Sequence, residues 1–511
     1  MPKMTLNRAE YRDKVLACWM GKNIGGTLGA PMEWKRQLND VSFYTQKLSG
    51  EPLPNDDLDI QLLWVVAMEE RGVDIDAHTL AEYWRLYVAP HWAEYGAGKV
   101  NMNSGLLPPL TGSRKNVFKD SCGAFIRSEI WACIAPGCPD IAVKFAFEDA
   151  ILDHGDGEGT YAEIFCAALE SAAFVVSDAR ALIDIGLSYI PKSCACAAAV
   201  HTAIESYDKK MGWVDARDLM LERHRGSAFY ESLNSISERD QAKGFFTGKL
   251  GYDVPSNIGI VVLGLLYGEG DFSKTICTAV NCGEDTDCTG ATVGSIFGIM
   301  HGTKAIPEEW ITPIGHSIKT VCLNLGDLGS GHQLPQTVDE LTDRSERLAQ
   351  QVLGRGRSSR VVISDADKTD LSGVKPESLK ATDGGESLYH NARGPVFRFD
   401  FFEIMLDYGD DPSIRAGVEK TVRVEIRNRY KTQANLTVRW YLPDGWTILP
   451  GPVGSLFMTP YGQLKNQTVE YRLLAPTVNQ SMNRAVIEIT IEGRPTAMLI
   501  PVTLLNGTIS C

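Results

Sequence analysis

The chain has 511 residues, 44% of them hydrophobic and 22% charged, and its formal net charge is −14. This composition indicates a globular protein with ample material for a large core. The acidic balance argues against sequence-independent binding of nucleic acid, which requires a basic surface to release counterions. It allows a phosphate-bearing small ligand, because a bound divalent cation can supply positive charge.

The sequence gives no sign of a segment that would insert into a membrane or direct secretion. Residues 1–15 are mixed and polar, unlike the apolar core of a secretory signal. The longest apolar stretches, such as Ile258–Tyr267, are much shorter than the roughly 20 residues of a membrane span. The 12 cysteines form no CxxC pair, which favours reduced, buried thiols over a disulfide framework. We therefore expect a cytoplasmic protein without a membrane or nucleic-acid partner.

Residues 1 to about 350 carry the apolar spacing of helices. The spacing is clearest in Arg8–Trp19, Leu58–Glu70, Ala162–Val176 and Thr337–Leu353. We find neither the strand–helix alternation nor the glycine motifs of nucleotide-binding folds. The pattern predicts an all-α helical domain over residues 1–353, for which the resemblance given below implies an orthogonal arrangement of the helices.

After residue 353 the sequence changes character. Gly354–Ser359 is typical of a linker, and residues 354–395 are predicted to be a linker or to hold extra strands. From residue 396, short alternating runs are separated by turns rich in glycine and proline. The strand candidates are Val396–Phe401, Lys420–Ile426, Thr437–Tyr441, Thr468–Leu474, Ala485–Ile491 and Ala497–Leu504. They predict a smaller all-β sandwich of immunoglobulin-like type over residues 396–511.

A first acidic cluster, Asn55-Asp56-Asp57, comes directly before the helical run Leu58–Glu70. Asparagine and aspartate are good helix caps, and acidic residues in a first turn suit the helix dipole. Several closely spaced carboxylates also suit a hard cation such as Mg²⁺. Taken alone, the cluster fits a helix start better than a metal site.

A second acidic cluster, Asp285-Thr286-Asp287, also precedes a helical run. In that run, glycine recurs at every fourth position: Gly290, Gly294, Gly298 and Gly302. Each helical glycine costs up to about 1 kcal/mol relative to alanine. The stripe therefore predicts that a neighbouring backbone packs very closely and holds the aspartates rigidly.

Four motifs follow one another along the helical part: Gly25–Glu33, Asn55–Asp57, His154–Gly157 and Gly283–Cys288. In this order they resemble the motifs of the ADP-ribosylglycohydrolase family, of the dinitrogenase-reductase-activating glycohydrolase type. The resemblance covers about residues 8–350, so the chain looks like a divergent branch with an added C-terminal β domain. It implies an all-helical fold in which the acidic motifs converge on two Mg²⁺ ions.

The resemblance also implies roles for individual residues. The metal ligands would be Asn55, Asp56, Asp57, Asp285 and Asp287, with Mn²⁺ as the alternative cofactor. Glu33 and Asp57 would be catalytic, Glu33 because the matching glutamate of the family faces the scissile bond. The reaction would be hydrolysis, by metal-oriented water, of an N- or O-glycosidic bond to a ribose-like sugar. The substrate would be ADP-ribosylated or a small, nucleoside-like riboside.

The sequence departs from the family motifs at two positions. Asn55 stands where threonine is usual, and an amide oxygen can still bind magnesium. Cys288 also stands in place of a threonine, and a thiol is a poor magnesium ligand. Either this ligand is lost, or Thr289 or water replaces it. Together with the added β domain, these changes favour a small glycoside slightly over an ADP-ribosylated protein.

Four further residues are candidates for substrate binding: His154, Asp156, Asn103 and Glu284. His154 and Asp156 belong to the acidic loop that resembles the family's histidine-glycine loop, although a core or surface histidine is an equal alternative. Asn103 fits an ordinary turn better than a ligand contact. Glu284, between Gly283 and Asp285, would lie near the sugar.

Other interpretations of the sequence remain open. The family includes lens crystallins that kept the fold and lost the chemistry, so a catalytically silent binding or structural protein is the main alternative. The retained aspartates and Glu33 argue for activity. A terpenoid synthase is disfavoured because Asp56-Asp57-Leu58-Asp59 is one residue short of its DDxxD motif. Exposed strand edges of the β domain could pair with a second subunit and form a homodimer.

Overall fold

A computed structural model describes residues 4–33, 35–226, 235–245, 248–329, 333–355, 360–409 and 411–507. The chain divides into two compact units. The first unit comprises Met1–Lys99 and Lys115–Glu386, and the second comprises Val100–Arg114 and Ser387–Cys511. Part of the predicted linker, residues 356–359, lies outside the described residues.

Helices occupy most of the first unit. Within the described ranges, the α-helices of the chain are α1 (Arg8–Gly29), α2 (Asp56–Arg71), α3 (Ala77–Tyr87), α4 (Ala93–Asn103), α5 (Leu110–Ser113), α6 (Glu129–Ile134), α7 (Pro139–Ala150), α8 (Glu158–Ala173), α9 (Ala179–Ser188), α10 (Ala195–Asp208), α11 (Trp213–His224), α12 (Glu238–Ala242), α13 (Val254–Tyr267), α14 (Phe272–Asn281), α15 (Thr286–His301), α16 (Glu308–Ile311), α17 (Val338–Arg355) and α18 (Glu386–Tyr389). None of these helices is both long and apolar enough to cross a bilayer. The predicted helical domain is confirmed.

Helices α1 and α15 pack with their backbones in direct contact. A β-carbon on Gly21 would lie 2.1 Å from the carbonyl oxygen of Gly294, and one on Gly298 would lie 2.1 Å from that of Ala17. The predicted close packing of the glycine stripe is therefore present at these positions. Gly302 has a different role, because it ends α15 with a positive φ of 76°.

Helix α2 begins with a side-chain cap. The Asn55 side chain accepts a hydrogen bond from the Asp57 backbone N–H at 2.8 Å, which satisfies one of the free donors of the first turn. Residues 57–68 of α2 are buried, so the first-turn carboxylates of Asp57 and Asp59 face protein rather than water. One of them, Asp59, accepts hydrogen bonds from the backbone N–H groups of Val321 and Cys322.

Two short parallel strand pairs also belong to the first unit. Strand β1 (Met4–Asn7) pairs with β4 (Val361–Ser364), and β2 (Lys35–Arg36) pairs with β3 (Ser235–Ile236). The region 354–395 thus contains one extra strand within its described part, and this strand lies in the first unit.

The second unit is a β-sandwich of two five-stranded sheets. Its strands are β5 (Val396–Arg398), β6 (Phe402–Asp407), β7 (Ser413–Ile414), β8 (Lys420–Asn428), β9 (Ala434–Tyr441), β10 (Thr447–Leu449), β11 (Val453–Met458), β12 (Asn466–Leu474), β13 (Met482–Ile491) and β14 (Ala497–Asn506). One sheet has the order β10-β12-β8-β6-β5 and the other β11-β9-β13-β14-β7. All pairs are antiparallel except β14 with β7.

Side chains from both sheets form the core of the sandwich. The rings of Trp440 on β9 and Tyr471 on β12, which belong to different sheets, lie 5.0 Å apart. Leu106 and Leu110 join this core, which explains why residues 100–114 belong to the second unit. The predicted β-sandwich is confirmed as a fold class.

Candidate metal centre

Three overlapping groups of side chains place their ligand atoms within 4.8 Å of one another. The groups are Asp57, Asp287 and Cys288; Glu33, Asp285 and Asp287; and Cys122, Asp253 and Asp285. Because the second group shares a residue with each of the others, the three form one continuous cluster. We call these seven residues the acidic cluster.

The acidic cluster is assembled mainly from helix ends. Asp57 lies in the first turn of α2, and Asp285 and Asp253 occupy the N-cap positions of α15 and α13. Glu33 follows α1 and a short 3₁₀ turn. Helix N-termini carry partial positive charge and favour carboxylates. The fold thus collects acidic side chains where each is tolerated locally, although together they repel one another.

The close packing of α1 and α15 fixes two parts of the cluster relative to each other. The Thr286 hydroxyl donates a hydrogen bond of 2.8 Å to the Gly29 carbonyl oxygen. A β-carbon on Gly29 would lie 2.2 Å from the Thr286 carbonyl oxygen. The end of α1, which leads to Glu33, is therefore held directly against the start of α15, which carries Asp287.

Several oxygens of the cluster are buried without a hydrogen-bond donor among the described residues. They are both carboxylate oxygens of Asp57 and one each of Asp253, Asp285 and Asp287. Asp57 is 1% exposed and Asp287 is 6% exposed. A buried carboxylate without a partner is costly, and a divalent cation would compensate several at once. The residues present therefore fit a metal site.

The pKa values of these carboxyl groups reflect the same excess of buried carboxylates over hydrogen-bond donors. Burial raises the pKa of Asp57 to about 7, despite the opposing attraction of the Lys22 ammonium. Burial and the nearby Glu33 charge raise the pKa of Asp285 to about 8. Burial, with repulsion from Asp285 and Asp57, raises the pKa of Asp287 well above its usual value. Clustered acids with raised pKa values are typical of functional sites.

Buried polar side chains surround Asp57 within the protein interior. Lys22 Nζ lies 2.7 Å from a Glu129 carboxylate oxygen and 3.8 Å from Asp57 Oδ1. Gln61 donates to the other Glu129 oxygen at 2.9 Å and to the Asp57 carbonyl at 2.9 Å. Burial alone would lower the pKa of Lys22, but the charges of Glu129 and Asp57 raise it above its usual value. Lys22 therefore supplies a fixed positive charge beside Asp57.

Asp56 and Asn55, which precede Asp57 in the sequence, lie at the edge of this region. Asp56 is half-buried and accepts a hydrogen bond of 3.2 Å from the Tyr95 hydroxyl. Asn55 caps α2 through its amide oxygen, and its amide nitrogen is buried without a hydrogen-bond partner among the described residues. Neither residue is in the three groups of ligand atoms, so their roles as metal ligands stay predictions.

Glu284 is held by two arginines rather than left open. Its carboxylate lies 2.5 Å from Arg36 Nη2 and 2.8 Å from Arg225 Nη2, and all three side chains are buried. Burial alone would raise the pKa of Glu284, but Arg36 and Arg225 lower it. The backbone of Glu284 has a φ of 68°, which is unusual for a residue other than glycine. The arginines thus secure the turn that leads into Asp285, and contact of Glu284 with substrate stays a prediction.

His154 is buried in a separate ionic network. Its Nδ1 lies 2.8 Å from Asp153 and its Nε2 lies 3.4 Å from the Ser121 hydroxyl. Asp153 also accepts two hydrogen bonds from Arg127, at 2.7 and 3.0 Å. The ring is 0% exposed, and its polar contacts are with this network rather than with the acidic cluster. This is the arrangement of a structural core histidine.

Asp156 and Asn103 are exposed. Asp156 forms an ion pair of 2.8 Å with Lys119. Asn103 ends α4 and belongs to the second unit. Nothing in their described contacts links either residue to the acidic cluster, so substrate binding by His154, Asp156 and Asn103 stays a prediction.

Two members of the cluster, Asp253 and Cys122, were not predicted from the sequence. Asp253 precedes Val254-Pro255 at the start of α13, and an aspartate before a proline in a first turn is a recognisable helix start. That signal could have placed a third carboxylate at a helix N-terminus. Cys122 has no comparable local signature, because only tertiary packing brings it to Asp285.

Comparison with known proteins gives the family to which this helical fold and acidic cluster belong. Residues 7–353 match the family described as ADP-ribosylglycohydrolase. The chain belongs to this family, as its sequence motifs predicted.

The chain is also similar to a protein of Archaeoglobus fulgidus and to a solved structure. It is 25% identical, over 312 residues, to the Archaeoglobus fulgidus protein, which is described as uncharacterized; the match covers 58% of this chain and 90% of that protein. It is 17% identical to a chain of a solved structure titled "ADP-ribosylglycohydrolase-related protein complex". That match covers 67% of this chain and 99% of the other, with a TM-score of 0.44.

Proposed function

We propose that this protein is a divalent-metal-dependent glycohydrolase that cleaves an N- or O-glycosidic bond to a ribose-like sugar. The observation that carries the proposal is the set of buried carboxylate oxygens without hydrogen-bond donors, among the described residues, on Asp57, Asp285 and Asp287. Asp57 has both carboxylate oxygens in this state, whereas Asp59, outside the cluster, accepts two backbone hydrogen bonds at one oxygen and lacks a partner, among the described residues, at the other. Family membership supports the reaction type.

The metal would be held by the buried carboxylates. Asp57, Asp285 and Asp287 are the main ligands in this proposal, with Asp56 and Asn55 contributing at the edge. We propose two ions, the number that the family resemblance implies. They would be Mg²⁺ or alternatively Mn²⁺, because carboxylate oxygens are the ligands that both ions prefer. When bound, such ions supply Lewis acidity and a fixed point of attachment for sugar hydroxyls and water.

Glu33 is the proposed proton-transfer group. Its ligand atom lies within 4.8 Å of those of Asp285 and Asp287, and its side chain is half-buried rather than enclosed. It can therefore reach both the cluster and a substrate that enters from solvent. Glycoside hydrolysis breaks the bond from the anomeric carbon to the leaving group, which must gain a proton, and adds water, which must lose one. Glu33 would hold that proton at its carboxylate.

Asp57 is the second proposed catalytic residue. It is fully enclosed, and the adjacent Lys22 ammonium keeps a positive charge beside it. The Lys22 charge favours the ionised carboxylate, but burial outweighs it and raises the pKa of Asp57 to about 7. In this proposal a bound cation would keep the Asp57 carboxylate ionised, while the half-buried Glu33 exchanges protons.

The proposed substrate is an ADP-ribosylated molecule or a small, nucleoside-like riboside. The experiment is a screen of aryl furanosides, nucleosides and ADP-ribosyl-arginine with purified protein, with Mg²⁺ and with a chelator. The expected result is release of a sugar from at least one class, in the presence of metal only. Magnesium binding without turnover of any class would instead favour a catalytically silent, crystallin-like protein.

We further propose that the second unit mediates a homodimer. Strand β11 is at the edge of its sheet, and its residues Val453 and Phe457 are 50% and 45% exposed. Exposed edge strands with apolar side chains readily pair with another chain. Sedimentation velocity is expected to show a dimer for the native protein and a monomer for Phe457→Lys.

A further inference from the structure

Two cysteine thiols lie within the acidic cluster. We infer that Cys122 and Cys288 are ligands for thiophilic divalent ions, so that Co²⁺ and Zn²⁺ bind this site through sulfur and displace Mg²⁺. The inference rests on the metal site of the proposed function and concerns which ions that site selects. It does not depend on the identity of the sugar substrate.

Cys288 takes the place beside Asp57 and Asp287. Its Sγ lies within 4.8 Å of ligand atoms of both aspartates. The next residue, Thr289, does not compete for this position, because its hydroxyl donates to the Asp285 carbonyl oxygen at 2.9 Å and is buried in α15. The atom offered at the position after Asp287 is therefore sulfur.

Cys122 occupies the equivalent place beside Asp253 and Asp285. Its Sγ lies within 4.8 Å of ligand atoms of both aspartates. Asn257 donates a hydrogen bond of 3.2 Å to this sulfur and accepts one of 3.3 Å from the Asp285 backbone N–H. Asn257 is 1% exposed. It thus fixes the Cys122 sulfur relative to Asp285.

The carboxylates next to each thiol point to a cation independently of the sulfur atoms. Both oxygens of Asp57 and one oxygen each of Asp253, Asp285 and Asp287 are buried without a hydrogen-bond donor in the part of the chain that the structure describes. Each thiol is therefore grouped with two carboxylates that have a buried oxygen without such a donor. Either group offers one sulfur and two carboxylates.

This donor set separates ions by their softness. Mg²⁺ prefers oxygen ligands and gains little from a thiol, whereas Zn²⁺ and Co²⁺ bind thiolate well. As the metal–sulfur bond forms, the S–H bond breaks and the proton passes to solvent. Carboxylates alone would let Mg²⁺ bind, and the two sulfurs would add affinity for thiophilic ions only.

Titration of the metal-free protein with Co²⁺ tests the inference, because sulfur bound to cobalt gives a charge-transfer band in the near ultraviolet. The native protein is expected to develop this band as Co²⁺ binds. Cys122→Ser and Cys288→Ser should each lose about half of it, and the double variant all of it. Cys277→Ser, which alters a half-buried cysteine of α14 outside the cluster, is the matched control and should keep the full band.

Calorimetry with Zn²⁺ and Mg²⁺ completes the test. Zn²⁺ affinity should fall about tenfold or more in the double variant, since losing only the partner of a metal ligand already costs about 10- to 100-fold. Mg²⁺ affinity should stay close to that of the native protein. Co²⁺ that binds without a charge-transfer band, or a band that persists in the double variant, would overturn the inference and leave the oxygen-based metal site standing. A native protein that binds none of the three ions would instead refute the proposed metal site itself.

Discussion

Gly25 and Gly290 face each other between α1 and α15, and a β-carbon on Gly25 would lie 2.0 Å from the Gly290 carbonyl oxygen. No side chain can separate the two backbones at this point. The same contact sets the distance between Glu33, which follows α1, and Asp287, in the first turn of α15. The geometry of the acidic cluster therefore depends on the absence of a side chain at both Gly25 and Gly290.

Gly25→Ala is expected to destabilise the protein because the added methyl group must push α1 away from α15. Overpacking of this kind costs about 1–3 kcal/mol or more, which should appear as a lower thermal unfolding midpoint. Gly354→Ala is the matched control: this glycine lies in helix α17, and a β-carbon there would meet no described atom within 4 Å. That substitution should be neutral or stabilise by up to about 1 kcal/mol. Equal midpoints for the two variants would show that the helices can separate freely.

Glu33→Gln is expected to retain metal binding and to lose turnover. The amide keeps the size of the side chain but cannot accept and release the proton, and general acid–base groups contribute about 10²–10⁴-fold to rate. Steady-state kinetics on the substrate found by the screen, together with Mg²⁺ calorimetry, measures both effects. Glu51→Gln, at an exposed residue paired with Lys319, should leave both unchanged. Native turnover by Glu33→Gln with unchanged metal binding would exclude this role.

Asp287→Asn is expected to stabilise the protein in chelator and to abolish its response to Mg²⁺. Without metal, Asp287 is buried and repelled by Asp285 and Asp57, so replacing its carboxyl group with an amide should relieve this repulsion and raise the thermal unfolding midpoint. Thermal unfolding with and without Mg²⁺ gives both values. Asp153→Asn is the contrast, since the Asp153 carboxylate is paired with Arg127 at 2.7 Å and the variant should lose stability in both buffers. A variant Asp287→Asn that is less stable than the native protein in chelator would mean that its carboxylate is structural.

Asp153→Asn is expected to destabilise the protein in a pH-dependent way. Burial alone would raise the pKa of Asp153, but Arg127 and His154 lower it to about 2. An unfolded aspartate titrates near about 3.9, so the ionised Asp153 contributes its full stability above about pH 4 and loses it as the pH falls towards about 2. The variant leaves the buried Arg127 with Asp149 as its remaining carboxylate partner, so the cost should be lower than the roughly 3–5 kcal/mol of a fully broken buried ion pair.

Urea unfolding from pH 7 to pH 3 measures this difference. The gap between native protein and Asp153→Asn should narrow below about pH 4, as Asp153 of the native protein becomes protonated. Asp156→Asn serves as control, because its exposed ion pair with Lys119 is worth less than about 1 kcal/mol. A gap that does not change with pH would show that Asp153 acts through its shape rather than its charge.

The parts of the site that the sequence predicts are those with a local signature. Asp57, Asp285 and Asp287 occur in short motifs at helix starts. The recurrence of glycine at every fourth residue, at Gly290, Gly294 and Gly298, is visible within a single helix. The partner of that stripe could not be identified in advance. Its partners on α1, among them Gly21 and Gly25, are about 270 residues away in sequence, and no local pattern connects the two helices.

The strand bounds of the β-sandwich were also only partly predictable from local sequence. The run Val396–Phe401 was predicted as one strand, but β5 ends at Arg398 and a new strand, β6, begins at Phe402. All six residues of β6 are buried, including Glu403 and Asp407. Glu403 is paired with Arg427 and Arg429. With charged residues inside, the alternation that marks a half-exposed strand is lost.

The contact between α1 and α15 also has a consequence for the order in which the protein is made. The acidic cluster requires residues from Glu33 to Cys288, so about half of the 511-residue chain must leave the ribosome before the last ligand is available. Until then α1 displays a row of bare glycines without its partner, and contacts this distant in sequence form slowly. Until α15 is synthesised, the side chains of the Asn55–Asp57 motif therefore lack the residues that complete the acidic cluster. In the proposed function, metal binding would accordingly follow the synthesis of α15.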